Sequence, residues 1–246
     1  MIGTELLDDP RADPRAVRRE LRDIARLNGL FGGTRAVVRE LEAIFRKGTG
    51  DGGRGTGKTW TLLDVGTGLG DIPRAAAVAA RRHGITLRLI GVELNRAAAA
   101  AAREMDGADR LELVLADGGA LPLRPRSVDI VIVSQVLHHL PRDVAVRWIT
   151  TFGSLARRAV ILADLRRSRV AMLALWFASY PLGFSGVTRH DGIVSLRRGY
   201  TRGEFNEMLV AAGMRPVARY RPGFRVVAAW ETSDIRRQTS GLAPNT

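Results

Sequence analysis

Apolar positions recur every three or four residues near the start of the chain: Val17, Leu21, Ile24 and Leu27, then Val37, Val38, Leu41, Ile44 and Phe45. That spacing predicts two amphipathic helices between Asp13 and Arg46, broken at Asn28-Gly29 and Gly32-Gly33. From Gly48 to Gly57 six of ten residues are glycine. Such a stretch buries no apolar surface, and it predicts a flexible linker over 48–58 between an N-terminal helical lid (1–47) and a core (59–232). Beyond the linker the period changes. Strand-like runs over 59–64, 86–92, 110–116, 128–133 and 159–163 alternate with helical patterns over 72–82, 95–104 and 142–156. Val128 to Val133 is apolar but for Asp129, as a buried parallel strand requires. Regular alternation of this kind predicts an α/β fold with a doubly wound parallel sheet.

The end of the pattern differs. Thr201-Arg202-Gly203-Glu204 is a capping box opening a helix that stops at Gly213. Two β-rich runs, 215–220 and 225–230, flank Arg221-Pro222-Gly223 and predict an antiparallel hairpin; the tail from 233 to 246 is expected to be flexible. Between strand 5 and the capped helix, 166–200 is too long for an ordinary connection. Its stretch Val170 to Thr188 carries no charge over nineteen residues, near the length of a membrane span. Ser179, Pro181, Gly183, Ser185 and Gly186 interrupt it, however, and a crossing would strand the last helix and hairpin across the bilayer. The better reading is a cap over the mouth of a site, with peripheral membrane contact through that cap.

Composition narrows the chemistry. Cysteine is absent, which excludes disulfides, thiolate metal sites, iron–sulfur clusters and cysteine-nucleophile pyrimidine methylation. No apolar segment of signal type lies in the first 22 residues, and a cytoplasmic protein is expected. The net charge of +13 suggests a polyanionic partner. Yet Lys47 and Lys58 are the only lysines and the arginines are scattered along the chain, so a solvated surface built from the generic cation of an arginine-rich coding bias is favoured over nucleic acid.

Two glycine-rich loops compete for a nucleotide. Gly52 to Thr59 matches the P-loop spacing, but a helix precedes it and a strand follows, the reverse of what phosphate binding needs. The second loop, Asp64-Val65-Gly66-Thr67-Gly68-Leu69-Gly70-Asp71, follows a strand and opens a helix. A dinucleotide fingerprint would need glycine where Asp71 stands and has no call for Asp64. The order of acid then alternating glycines resembles the first motif of class I S-adenosylmethionine (SAM) methyltransferases. The resemblance implies an acid at the end of strand 2 for the ribose hydroxyls, met by Glu93 beside Leu94. It also implies a polar residue after strand 3 for adenine, met by Asp117 and the Gly118 amide. The cofactor set it implies is Asp64, Gly66, Thr67, Gly68, Gly70, Glu93, Leu94, Asp117, Gly118 and Ser134.

Ala120-Leu121-Pro122-Leu123, Ser127-Val128-Asp129-Ile130-Val131 and Val136-Leu137-His138-His139-Leu140 are similar to the small-molecule branch, including ubiquinone/menaquinone-biosynthesis methyltransferases. The likeness covers about 62–213 and implies a class I fold with a C-terminal antiparallel hairpin. To this the chain adds its N-terminal helices and cap insert.

Chemically, His138 and His139 follow strand 4 and titrate near neutrality, so either suits a general base. Trp176, Tyr180, His190, Arg197 and Tyr200 lie in the cap and are candidates for the acceptor. The motif that holds a flipped base after strand 4 in amino-methyltransferases is missing, since Ser134-Gln135-Val136-Leu137 stands there. The expected activity is methyl transfer to an oxygen or carbon of a hydrophobic small molecule, aromatic or polyketide/quinone-like, without metal. The alternatives are an RNA methyltransferase and a non-catalytic SAM-binding partner of another enzyme.

Overall fold

The computed structural model describes residues 5–9, 11–49, 58–105, 109–215 and 217–232. Two helices, α1 (Pro14–Leu30) and α2 (Gly33–Thr49), precede β1 (Lys58–Val65). Then follow α3 (Asp71–Arg81), β2 (Ile85–Glu93), α4 (Arg96–Arg103), β3 (Leu111–Leu115), β4 (Val128–Ser134), α5 (Arg142–Leu155) and β5 (Ala156–Leu165). The chain closes with α6 (Arg169–Ser179), α7 (Gly186–Arg198), α8 (Arg202–Ala211), β6 (Arg219–Arg221) and β7 (Arg225–Glu231). Local chemistry marks the helix starts. Asp13 accepts from the Arg15 and Ala16 amides with Pro14 in the first turn, Asn95 caps α4, and Thr201 with Glu204 forms the capping box of α8.

The strands form one sheet in the order β3-β2-β1-β4-β5-β7-β6. β1 to β5 are parallel, while β7 enters antiparallel between β5 and β6. β4 is buried along its whole length, as its apolar run predicts. One face packs Leu63, Val131 and Val133 on Ile149 and Phe152 of α5 and Phe205 of α8. The other packs Leu62, Ile130 and Ile132 with Val37, Leu41 and Phe45 of α2 and Ala76 of α3. Each such large buried side chain contributes about 1.5–3 kcal/mol. The strand order reverses between β1 and β4, and sheets of this kind bind ligands in the crevice outside the strands' carboxyl ends at that point. α1 lies above it, against α4 and α7.

Three boundaries differ from the pattern. α2 runs on through Gly48, where a Cβ would meet the Trp60 ring at 2.3 Å, so this glycine serves a close approach; most of the expected linker (50–57), like the tail (233–246), lies outside the described residues. β6 shrinks to three residues because the Ala218 amide donates to Asn206 Oδ1 (2.8 Å) in place of a strand ladder. The cap is two short helices that turn back on each other, and no helix among the described residues is long and apolar enough to cross a membrane.

Candidate active site

The β1 strand delivers its chain into a tight turn. Gly66, Gly68 and Gly70 all have positive φ (73°, 54° and 74°), and a Cβ on Gly66 would sit 2.3 Å from Val136 Cγ2. The Gly66 and Thr67 amides donate to the Val92 carbonyl (2.8 and 3.0 Å), which draws the turn over the tip of β2. There the Glu93 carboxylate accepts from the Gly68 amide (3.1 Å) and the Asn95 amide (2.9 Å). Asp64 is buried and accepts the Thr67 hydroxyl at 2.8 Å. Burial pushes its carboxyl up to about 7, the neighbouring Asp71 and Glu93 adding to the effect against the Thr67 hydrogen bond.

Beyond β4, Gln135 turns the backbone through φ 58° into a 3-10 turn over Leu137–His139. Asp164, fully buried near the end of β5, accepts the His138 amide (3.2 Å) and lies 2.6 Å from His138 Nδ1. The opposite ring nitrogen, Nε2, is buried without a hydrogen-bond partner. His139 Nδ1 lies 2.8 Å from Asp8, and Arg198 donates to both Glu5 (3.1 Å) and Asp8 (2.9 Å). The His139 contact holds the Asp8 carboxyl well below its ordinary value. Burial opposes protonation of His139, but the Asp8 hydrogen bond and the charges of Glu5, Asp8 and Asp164 raise it overall. Ligand atoms of Glu5, His138 and His139 fall within 4.8 Å of one another; the Arg198 guanidinium already supplies a cation to Glu5.

Most of these groups, though not Asp164 or Arg198, line one crevice of about 590 Å³, in the range of small-molecule sites. Its wall includes Asp64, Gly66, Thr67, Gly68, Glu93, Leu94, Gly118, Ser134, His138 and His139, ten of the residues expected from the sequence. Others lie off the wall. Gly70 caps α3, and Asp117 is exposed with its carboxylate accepting from Gly119 (2.8 Å). Trp176 and Tyr180 turn outwards, 41% and 53% exposed, because α6 is apolar on every side and directs Ala171, Ala174 and Leu175 inwards. His190 and Arg197 face solvent, while the Tyr200 hydroxyl donates to the Leu137 carbonyl (2.8 Å). Sequence reasoning missed Glu5, Asp8, Asn28, Asp164 and Arg225. An acid closing strand 5 beside the histidines after strand 4 was the readable signal for Asp164.

Comparison with known proteins agrees with this geometry. Residues 63–151 match the family model described as a methyltransferase domain. An uncharacterized methyltransferase of Mycobacterium avium (strain 104) is 38% identical over 125 residues, which cover 51% of this chain and 45% of that protein. The match thus spans about half the length of either chain. A SAM-dependent methyltransferase from Aquifex aeolicus shares the fold at a TM-score of 0.58 and 17% identity, over 89% of this chain and 98% of that one. Magnesium protoporphyrin IX methyltransferase from Synechocystis PCC 6803, with bound SAH, does so at 0.53 and 18%, over 86% and 85%. Residues 63–151 thus carry a methyltransferase domain, and the chain shares its fold with SAM-dependent methyltransferases. The residues present fit that cofactor: a turn whose three glycines hold left-handed backbone, an acid at the tip of β2 suited to hydroxyls, and a buried acid suited to a cationic ligand.

Proposed function

We propose that the protein transfers a methyl group from SAM to an oxygen or carbon of a hydrophobic small molecule, aromatic or polyketide/quinone-like. The observation that carries this reading is the continuity of one wall, from Asp64, Gly66 and Glu93 through His138 to the apolar Leu21, Ile24, Leu27, Ala174 and Leu175. SAM, when bound, supplies a methyl carbon on a cationic sulfur leaving group. The chain's own work is alignment and exclusion of water, which α1 and α6 perform by roofing the crevice. His138 takes the acceptor proton on Nε2, and Asp164 fixes the tautomer by accepting from Nδ1–H. His139 belongs to the ion pairs that close residues 5–8 over the site. The exposed apolar side of α6 supports contact with a membrane surface, a natural source of an apolar acceptor.

Calorimetric titration with SAM tests the cofactor half. Asp64→Ala and Glu93→Ala should each weaken binding at least tenfold, and unchanged affinity in both would overturn the reading. Labelled SAM incubated with a small-molecule extract, followed by mass analysis of the labelled product, tests the acceptor class. Label appearing in RNA alone would reject it.

A further inference from the structure

Arg225 opens β7 at the strand's crevice end, and its side chain is buried to 6% exposure while lining the crevice wall. Several other buried charges in this molecule have an opposite charge beside them. Glu40 is held by Arg219 and Arg221, Asp129 by Arg157 and Arg158, and Asp164 by His138. Arg225 is different. Its three hydrogen bonds go to neutral oxygens: Nη2 donates to Asn28 Oδ1 (3.1 Å) and Gln135 Oε1 (3.2 Å), and Nη1 donates to the Gly223 carbonyl (3.2 Å). Nε has no partner, and no described carboxylate forms an ion pair with this guanidinium. Burial lowers its pKa to about 10, against the field of Asp164. A cation taken out of water and given only amide dipoles is costly unless an anion completes its surroundings.

The setting is built and polar. Asn28 is 3% exposed and receives the Gln135 amide on the same oxygen (2.6 Å), so the two side chains brace each other and the guanidinium. Gln135 holds its place through a left-handed backbone, which non-glycine residues adopt at a cost. Guanidinium forks match carboxylates in shape and charge.

We infer that Arg225, with Asn28 and Gln135 beside it, is the receptor for a carboxylate bound in the crevice. The inference rests on the proposed methyl transfer and adds a property of its ligands. Arg225 pairs in register with Leu165 of β5, two strands along the sheet from β4 and away from the cofactor turn of β1, which favours an acidic acceptor as the source. Asn28 also reaches Asp71 in the first turn of α3 (3.4 Å), so the methionyl carboxylate of the cofactor is the second source of the same chemistry.

Binding measurements separate the two. S-Adenosylhomocysteine is compared with 5′-methylthioadenosine, which keeps the nucleoside and lacks the carboxylate. Benzoate is compared with benzamide, with and without saturating S-adenosylhomocysteine. Each pair is measured on the unaltered protein, on Arg225→Gln, and on Arg225→Lys, which keeps the charge and removes the fork. An acidic acceptor predicts that benzoate binds and benzamide does not, that Arg225→Gln loses benzoate at least tenfold, and that S-adenosylhomocysteine affinity stays within twofold. A cofactor source predicts that the preference for S-adenosylhomocysteine over 5′-methylthioadenosine falls at least tenfold in Arg225→Gln. Equal binding of benzoate and benzamide, together with an unaltered nucleoside preference in the variants, would overturn the inference. Should Arg225→Gln fail to fold, the lysine variant and the unaltered protein decide. Failure of the unaltered protein to bind either nucleoside would sink the cofactor reading instead, while the benzoate arm still judges Arg225.

Discussion

The carboxylate of Asp164 grips His138 twice, accepting its backbone amide at 3.2 Å and lying 2.6 Å from its Nδ1. Both residues are almost completely shielded, so the ring's orientation is set by this contact, while Nε2 has no hydrogen-bond partner and His138 lines the crevice. As the proposed base, a ring so held should lose function as a unit with its support. His138→Gln and Asp164→Asn are each expected to lower kcat by about 10²–10⁴, with SAM affinity unchanged. The double variant should be little worse than the weaker single, because partners in one step are not additive. Steady-state kinetics on the three variants, beside SAM titrations, checks this. Multiplicative losses would mean that the two act independently.

The Asp8–His139 contact makes the closure of residues 5–8 depend on pH. His139 has a raised folded-state pKa, so its contribution is complete below the ordinary 6.5 and fades as pH rises through the higher folded value. Asp8 has a lowered one, so its share is present above 3.8 and fades as pH falls through the folded value. Between these limits the pair holds, and on the alkaline side it lets go. The thermal stability of the native protein should therefore exceed that of His139→Gln near pH 6 and converge with it as pH rises. A difference that does not vary with pH would refute the pairing.

How far the sequence foretold this molecule depends on the range of the interaction. The β4 strand and the glycine turn were readable because each is encoded within about ten consecutive residues: an apolar run between breakers, or an acid followed by glycines that only a tight turn needs. The union of His138 with Asp164, or of Arg225 with Asn28 and Gln135, joins residues 26, 197 and 90 positions apart. Periodicity says which face is buried and nothing about which polar groups meet there. α6 fails for another reason. Apolar all round, it carries no stripe to reveal its inward side, and the aromatics expected at the site turned out to face solvent.

Asp64 sets stability against binding. Its carboxyl titrates at about 7 in the folded state and near 3.8 when unfolded. The folded state therefore holds the proton more tightly, and stability falls as pH rises from about 4 to 7. The full penalty, present above that window, is on the order of 4 kcal/mol as an upper bound. Asp64→Asn removes the ionisation and keeps an acceptor for Thr67. It should be more stable than the native protein near pH 8 and nearly equal near pH 4, and weaker in binding the cationic cofactor near pH 8, where the native carboxyl is ionised. Denaturant unfolding at the two pH values, paired with SAM titration, tests it; a variant less stable at pH 8 would count against the buried charge.

The outer side of the cap remains to be covered. Val170, Leu173 and Phe177 of α6, Tyr180 just past its end and Val187 of α7 are 47–65% exposed, leaving an apolar strip on the outer side of the cap. Arg169 and Arg197 lie exposed on the same two helices, and the chain carries a net charge of +13. Apolar side chains flanked by arginine suit an anionic lipid surface, where the hydrocarbon boundary takes the first and the headgroups the second. The opposite side of α6 lines the crevice through Ala171, Ala174 and Leu175, so a docked helix would open the site towards lipid. The protein should therefore cosediment with phosphatidylglycerol vesicles and only weakly with phosphatidylcholine. Leu173→Ser with Phe177→Ser should reduce that binding at least tenfold without altering SAM affinity, since neither side chain touches the crevice wall. Equal sedimentation of the variant and the native protein would show that charge alone draws the protein to vesicles and that the apolar strip serves another contact.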